Sequence, residues 1–211
     1  MIWRKPHPAV LTPRPLRTGR AHLTALLESL PLVTDEVAHI ETWARHLSTV
    51  LTRGGRLLAA GNGGSAAEAQ HLTSELVGRY RDERQPFSAL ALHAESSTFT
   101  AIGNDYGAEE AFARQVRAHG RPGDVLMLLS TSGRSRNLIA AVDAARQGGI
   151  TAWALTGPRP NPLADMSFDA ICIDAPSTAT IQEIHLVVIH MLCAGIEVEV
   201  GASLPYDAEV H

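Results

Sequence analysis

The sequence has few cysteines, few aromatic residues and no long uninterrupted apolar segment. Among its 211 residues, only Cys172 and Cys193 are cysteines, and they form no CxxC motif. This argues against a disulfide framework and against a cysteine zinc site, and both side chains are expected to be small buried hydrophobes. The most apolar segment, residues 184–196, is short and contains His185 and His190, so no transmembrane helix is predicted.

An excess of positive charge is also lacking. The chain has 18 Lys and Arg against 22 Asp and Glu, a net charge of −4, which argues against a nucleic-acid partner. Residues 1–20 hold five basic residues, four prolines and no acid, and no apolar segment typical of a secretory signal follows. We therefore expect a cytoplasmic protein without a membrane or nucleic-acid partner, in which residues 1–20 form a flexible arm.

The rest of the chain changes from helical to alternating patterns. Residues 21–54 are predicted to hold two helices, at 21–30 and 35–52, that pack on the domain. Residues 55–201 form the predicted domain, and 202–211 a tail. Five short apolar segments alternate there with helical sequence and precede a last long helix at 179–200; they are 56–61, 88–92, 124–130, 151–157 and 169–174. This alternation predicts an α/β three-layer sandwich, a parallel sheet flanked by helices, with ligands at the carboxyl ends of its strands.

The first of these strand ends is rich in glycine. Residues 61–65 read GNGGS and join a strand to a helix, so the backbone can approach a ligand closely. Ser65 is predicted to cap the helix, with Glu68 completing a capping box, and the N–H groups of such a helix start attract anions. A tight turn with an ordinary cap explains the same residues. Neither the lysine of a P-loop nor GxGxxG is present.

The loop after the third strand is rich in hydroxyl groups. Residues 130–135 read STSGRS, so four hydroxyl side chains lie between an apolar strand and a helix. Hydroxyl and backbone N–H groups together can saturate the oxygens of a phosphate, whereas a simple polar turn remains the alternative. Arg134 adds charge or points to solvent.

Two pairs of polar side chains occur at helical spacing. His71 and Glu75 are four residues apart, and Gln182 and His190 lie broadly on one side of the last helix. Together these side chains suit a divalent metal such as zinc, although glutamine is a less common ligand. A surface ion pair and a buried histidine are the alternatives, and spacing alone does not separate His185 from His190.

Taken together, four motifs resemble the SIS (sugar isomerase) domain, and specifically the phosphoheptose isomerase family. They are GNGGS-x5-H-x3-E at 61–75, GND at 103–105, STSG-x-S at 130–135 and IQEIH-x4-H at 181–190, in order within residues 35–200. The resemblance implies a five-stranded parallel sheet and a homotetramer with active sites between subunits, in which the helices of residues 21–54 also pack on other subunits. It also implies one Zn²⁺ per subunit and a ketose–aldose isomerase that converts D-sedoheptulose 7-phosphate to D-glycero-D-manno-heptose 7-phosphate through an enediol.

The resemblance also implies roles for individual residues. Glu75 would move the proton between C1 and C2, and His190 would exchange a proton with the sugar oxygens. The implied metal ligands are His71, Glu75, Gln182 and His190. The implied substrate-binding residues are Asn62, Gly63, Gly64, Ser65, Glu75, Arg79, Asn104, Asp105, Ser130, Thr131, Ser132, Ser135 and Gln182. Arg134 and Ala179 depart from residues that the family often has there.

Two other functions fit parts of the sequence. A non-catalytic SIS protein of the type that associates with the DnaA initiator has a similar first loop, but the presence of Glu75 and His190 favours an enzyme. A sugar-phosphate sensor, or an isomerase of another phosphosugar, is the second alternative. The set formed by His71, Glu75, Gln182 and His190 favours the heptose branch.

Overall fold

The computed structural model describes residues 17–202, and most of the predicted arm and tail lies outside these residues. The described part begins with three helices, α1 (Arg17–Ser29), α2 (Pro31–Asp35) and α3 (Val37–Thr52). The first begins four residues before the predicted start at 21. Pro31 stands at the start of α2, where its missing N–H costs no helical hydrogen bond, so a short helix separates the two predicted ones.

Five strands form one parallel sheet, as the sequence predicts. They are β1 (Leu57–Gly61), β2 (Ala89–Ala91), β3 (Val125–Ser130), β4 (Thr151–Thr156) and β5 (Asp169–Cys172). Their order is β2-β1-β3-β4-β5, and every neighbouring pair is parallel. Each strand lies inside one of the five predicted apolar segments. The predicted α/β sandwich with a five-stranded parallel sheet is confirmed.

Helices cover both faces of the sheet because the central strands are apolar on both sides. The remaining helices are α4 (Gly64–Val77), α5 (Ser96–Tyr106), α6 (Glu110–His119), α7 (Arg136–Gln147), α8 (Pro162–Met166) and α9 (Thr178–Glu199). Alternate residues of β1 serve different layers: Leu57 and Ala59 pack with α3, α4 and α9, whereas Leu58 and Ala60 pack with α6, α7 and α8. Of the two cysteines, Cys193 is buried as expected and Cys172 is half-buried.

The last helix belongs to the core. Among the described residues, α9 has the length and apolarity to cross a membrane, which is weak evidence by itself. Half of its most apolar part is buried, and it packs against α3 and α4. Ile184, Val188 and Leu192 are almost completely inaccessible to solvent. The helix is therefore apolar because it fills the core of a soluble fold.

The strand order places the functional edge between β1 and β3. The chain proceeds from β1 to β2 in one direction, and from β3 through β4 to β5 in the other. In open parallel sheets, the crevice for a ligand opens at the carboxyl ends of the strands where this reversal occurs. The GNGGS loop follows β1 and the STSGRS loop follows β3, so both predicted phosphate loops lie at this position.

Candidate active site

The structure uses the small size or the backbone freedom of glycine at three positions of the first loop. Gly63 has φ of 58°, a left-handed conformation that other residues rarely adopt. A side chain on Gly61 would collide with the backbone carbonyl of Ser65, and one on Gly64 would collide with the amide of Gln182. The first turn of α4 therefore packs directly against the Gln182 side chain of α9, and two predicted site elements meet.

The predicted capping box at this helix start is wrong. The residue that precedes α4 is Gly63, and no side chain caps the helix there. Ser65 lies inside the first turn and is buried, because the left-handed glycine directs the chain into the helix two residues earlier than predicted. Glu68 is buried as well, with Oε2 at 3.8 Å from Nδ1 of His185 on α9.

The hydroxyl groups of the second loop differ in their hydrogen bonds. The Ser130 hydroxyl accepts the N–H of Gly133 at 3.1 Å, and the Ser132 hydroxyl accepts the N–H of Arg134 at 3.3 Å. These bonds shape the turn. Ser135 precedes α7 without capping it, so its hydroxyl is available to a ligand.

A cavity of about 240 Å³ lies between the two loops. It is lined by Asn62, Ser65, Leu129, Ser130, Thr131, Ser132, Ser135, Thr178 and Gln182. The N-termini of α4 and α7 both begin beside it, and the backbone N–H groups and dipoles of helix starts favour an anion. Its size and polar lining suit the phosphate end of a small sugar. A larger cavity of about 520 Å³ lies away from these loops, at the opposite edge of the sheet near Gly55 and Ser88.

A pair of amide side chains joins the two loops. Asn62 donates to the Asn137 side-chain oxygen at 3.0 Å, and Asn137 donates back to Asn62 at 2.9 Å. Asn137 lies in the first turn of α7, next to the STSGRS loop. Sequence reasoning missed it, because nothing in the local pattern indicates a partner 75 residues away.

The second cluster of polar side chains forms where α4 crosses α9. The His71 Nε2 lies 3.2 Å from Glu75 Oε1 and 3.1 Å from His190 Nε2. Two imidazole nitrogens at this distance form a hydrogen bond only if one of them carries the proton. The ring of Tyr80 stacks on His190, with 5.5 Å between centroids. The structure thus brings together three of the four predicted metal ligands and both predicted catalytic residues.

The chemistry of this donor set is compatible with zinc. Donor atoms about 2.0–2.1 Å from a tetrahedral Zn²⁺ are about 3.3 Å apart, close to the two spacings measured from His71 Nε2. Within residues 17–202, however, no group of three His, Cys, Asp or Glu side chains converges on one point as a preformed metal site. Gln182 supplies an amide oxygen one helix turn into α9, so the residues fit the ion chemically without a preformed cluster.

The buried His185 is not part of the cluster formed by His71, Glu75 and His190. Its side chain is completely buried, and Nε2 lies 3.1 Å from the carbonyl oxygen of Thr156. A carbonyl only accepts hydrogen bonds, so this nitrogen carries the proton. His185 therefore faces β4 and Glu68, and it is His190 that meets His71.

Six predicted substrate-binding residues lie outside the cavity lining. Gly63 and Gly64 belong to the first loop, Glu75 belongs to the cluster with His71, and the other three are exposed. Arg79 is exposed and donates to the carbonyl of Arg81. Asn104 and Asp105 are exposed at the end of α5 and hydrogen-bond to one another at 3.3 Å. Among the departures, the Arg134 guanidinium donates to the Pro160 carbonyl at 3.2 Å, and Ala179 is exposed in the first turn of α9.

Two groups beside the histidines stay protonated at neutral pH. Burial, with Glu75 and Glu197 nearby, raises the pKa of the Cys193 thiol to about 12, which removes it as a nucleophile. Burial, followed by the influence of Cys193, raises the pKa of the Tyr80 phenol. Tyr80 therefore offers His190 a neutral aromatic face.

Known proteins of one family are similar to this chain in sequence and in fold. The family model described as SIS domain matches residues 21–157. The chain therefore has the sugar isomerase fold, in agreement with its five-stranded parallel sheet. The phosphoheptose isomerase of Streptomyces coelicolor is 67% identical over 161 residues, covering 76% of this chain and 70% of the relative. That of Thiobacillus denitrificans is 48% identical over 180 residues, covering 83% and 91%.

A solved structure gives the same result. The phosphoheptose isomerase from Neisseria gonorrhoeae superposes with a TM-score of 0.80 at 38% identity, covering 86% of this chain and 98% of that one. The chain belongs to the phosphoheptose isomerase family, and the predicted membership is confirmed. An isomerase is thereby favoured over the non-catalytic binding protein. The roles of the individual site residues stay predictions.

Proposed function

We propose that the protein interconverts D-sedoheptulose 7-phosphate and D-glycero-D-manno-heptose 7-phosphate through an enediol. Family membership supports an isomerase of phosphorylated heptoses. The observation that carries the proposal is the contact of Glu75 and His190 with His71, on two helices that also border the phosphate cavity. An acid–base cluster thus lies beside an anion site, as isomerisation of a sugar phosphate requires.

The phosphate end binds first in this proposal. Ser135 offers its hydroxyl, and the starts of α4 and α7 offer backbone N–H groups. The phosphate takes no part in the reaction, so its binding energy serves to orient C1 and C2 near the proton-transfer groups. Gln182 lines the cavity and belongs to the same helix as His190, so it connects the two parts of the site.

Proton transfer is assigned to Glu75 and His190. The Glu75 carboxylate, held 3.2 Å from His71, removes the proton beside the carbonyl and returns it to the neighbouring carbon. His190 exchanges a proton with the sugar oxygens as the enediol forms. Their common contact with His71 and the Tyr80 ring on His190 limit the movement of both groups. Positioned groups of this kind accelerate proton transfer by roughly 10²–10⁴-fold.

We also propose zinc as the metal of this site. His71, Glu75, Gln182 and His190 would hold it, and the distances from His71 Nε2 to Glu75 and to His190 support this assignment. When bound, the ion polarises the carbonyl oxygen or fixes its ligands in place. Both histidines would bind the ion through an unprotonated Nε2, so protons compete with the metal for these nitrogens and metal affinity falls as pH falls.

The exposed candidates support a site shared between subunits. Arg79, Asn104 and Asp105 are exposed in the single chain and lie outside the cavity lining. Leu23 and Leu27, four residues apart on α1, are 56% and 58% exposed and form an apolar stripe suited to a subunit contact. We therefore propose a cytoplasmic homotetramer in which Arg79, Asn104 and Asp105 complete the site of a neighbouring subunit.

The deciding experiment uses the purified protein after metal analysis. It is incubated with sedoheptulose 7-phosphate, and the sugar product is followed by NMR. We expect the signals of an aldose heptose 7-phosphate and about one zinc per subunit. Absence of turnover by the zinc-loaded protein contradicts the isomerase, whereas turnover by thoroughly metal-free protein contradicts only the role of zinc. A fructose 6-phosphate control tests the preference for heptose.

A further inference from the structure

A buried carboxylate supports the turn that follows α4. Glu197 lies near the end of α9 and is 3% exposed. Its oxygens accept the backbone N–H groups of Tyr80 and Arg81 at 3.1 Å each, and that of Asp82 at 3.4 Å. Three consecutive N–H groups on one carboxylate fix the turn much as a bound anion would.

An arginine completes this arrangement. The Nε of Arg84 is 3.9 Å from Glu197, and both side chains are only 4% exposed. The same guanidinium donates to the carbonyls of Glu75 at 2.6 Å and Leu76 at 3.0 Å, in the last turn of α4. Arg84 thereby binds the backbone of the proposed catalytic base itself. A buried cation of this kind is strongly unfavourable without its carboxylate.

The pair also reaches the second proposed catalytic residue. Glu197 stands seven residues, or about two helical turns, after His190 on α9. The turn that it supports carries Tyr80, whose ring stacks on His190 with an interplanar angle of 28°. Arg84 therefore acts on Glu75 through its backbone, and Glu197 acts on His190 through Tyr80.

We infer that Arg84 and Glu197 are positioning residues for the isomerase reaction. They fix the end of α4 and the Tyr80 turn on α9, and so set the separation of Glu75 and His190. Neither residue touches the phosphate cavity, so the pair affects proton transfer rather than substrate binding. This inference depends on the catalytic roles proposed above for Glu75 and His190.

The chain offers a matched control for a purely structural role. Asp124, at the start of β3, is also a buried carboxylate that accepts two backbone N–H groups, those of Arg56 at 3.0 Å and Arg121 at 2.9 Å. It also faces an arginine, with Arg56 Nε at 3.5 Å. The bonds of this pair join the segment before β1 to the segment after α6 and include no residue of α4 or α9. We therefore expect loss of its charge to destabilise the fold without moving Glu75 or His190.

The test compares Glu197→Gln with Asp124→Asn in the zinc-loaded enzyme. We expect both changes to lower the melting temperature, but only Glu197→Gln to lower kcat, by about tenfold or more. The KM for the heptose phosphate should stay within about twofold, since phosphate contacts persist. Tyr80→Leu, which leaves the buried pair intact, should also lower kcat and provides the test if Glu197→Gln does not fold.

The outcomes separate this inference from the proposed function. An inactive wild-type enzyme contradicts the isomerase itself. An active wild type with unchanged kcat in Glu197→Gln and Tyr80→Leu, or an equal loss of kcat in Asp124→Asn, shows that the buried pair only stabilises the fold.

Discussion

At the residue scale, the contact of Glu75 and His190 with the same atom of His71 is the most informative feature of the site. The His71 and Glu75 side chains are 39% and 19% exposed, so the cluster is open to substrate on one side. Glu75→Gln keeps the size of the side chain and removes its ability to accept a proton. We expect kcat to fall at least about 100-fold with the fold retained, measured by NMR turnover and circular dichroism.

The control for this prediction is Glu41→Gln, an exposed carboxylate on α3. It should leave kcat unchanged. Near-normal turnover by Glu75→Gln would remove Glu75 from the role of base.

Two neighbouring glycines give a second prediction at this scale. In Gly64→Ala, the new methyl group meets the flexible end of Gln182, which can move away, so stability is retained while Gln182 leaves its position. In Gly61→Ala, the methyl group meets the rigid backbone of Ser65, and overpacking costs about 1–3 kcal/mol. We expect Gly64→Ala to raise KM at a nearly normal melting temperature, and Gly61→Ala to lower that temperature.

Thermal unfolding and steady-state kinetics on both proteins distinguish the two effects. A Gly64→Ala protein with unchanged KM and kcat would show that the position of Gln182 is irrelevant to the reaction.

At the scale of elements, the amide pair between Asn62 and Asn137 connects the loop after β1 to the start of α7. Asn137→Ala removes both hydrogen bonds, and the cost in stability is about 1 kcal/mol because water replaces the lost partner. The GNGGS loop is then no longer tied to the start of α7, so the distance between the two loops can vary. We expect a several-fold increase in KM with kcat little changed, because phosphate is the group held by both loops.

Inhibition by inorganic phosphate checks the same point with a ligand that has no sugar part, and its inhibition constant should rise together with KM. Gln147→Ala, at the far end of α7, serves as the control. If Asn137→Ala and Gln147→Ala bind phosphate equally well, the amide pair has no part in binding.

The elements themselves were largely predictable, and their long-range contacts were not. Periodicity located all five strands and the long α9, because apolar segments of buried strands are short and end at glycine or polar residues. The predictions include no helix for α5, whose pattern is interrupted by Gly103, and none for α6, which was missed although it is amphipathic and contains no glycine. The helix cap at Ser65 was wrong because a left-handed glycine begins α4 earlier than the capping rule predicts.

The site residues also differ in how far they could be predicted from the sequence. Local motifs indicated His71, Glu75 and the phosphate loops, because each depends on spacing within one element. Asn137, Tyr80, Arg84 and Glu197 have their effect through partners up to 117 residues away, and a single sequence holds no record of such pairings.

At the scale of the whole molecule, a chain of acidic and basic groups joins the N-terminal helices to the edge of the sheet. His39 contacts Glu36 at 3.0 Å and Asp169 at 2.7 Å, and the Trp43 indole donates to the same Asp169 oxygen. Burial lowers the pKa of His39, but its hydrogen bonds with Asp169 and Glu36 raise the pKa by more, so it lies above 6.5. Burial raises the pKa of Asp169, whereas the bonds from Trp43 and His39 lower it below 3.8.

These shifts define how stability depends on pH. The His39 contribution is complete below pH 6.5 and is lost as the pH rises through the higher pKa of the folded state. The Asp169 contribution is present above pH 3.8 and is lost as the pH falls through its lower folded pKa. We expect the unfolding free energy to decline from pH 6 to pH 8 in the wild type, and to decline less in His39→Gln.

Denaturant unfolding followed by tryptophan fluorescence suits this measurement, because Trp43 stacks on Trp153 with 4.7 Å between ring centroids. Parallel curves for the two proteins over this pH range would mean that His39 does not couple protonation to folding.

The register between β1 and β3 has a consequence for how a bound sugar phosphate departs. Gly61 pairs with Leu129 at the end of two strands that are buried throughout, so the strand ends that carry the two proposed phosphate loops cannot separate without breaking the centre of the sheet. We therefore expect the movements that release the product to occur in the side chains and surface segments around the loops, and not in the strands.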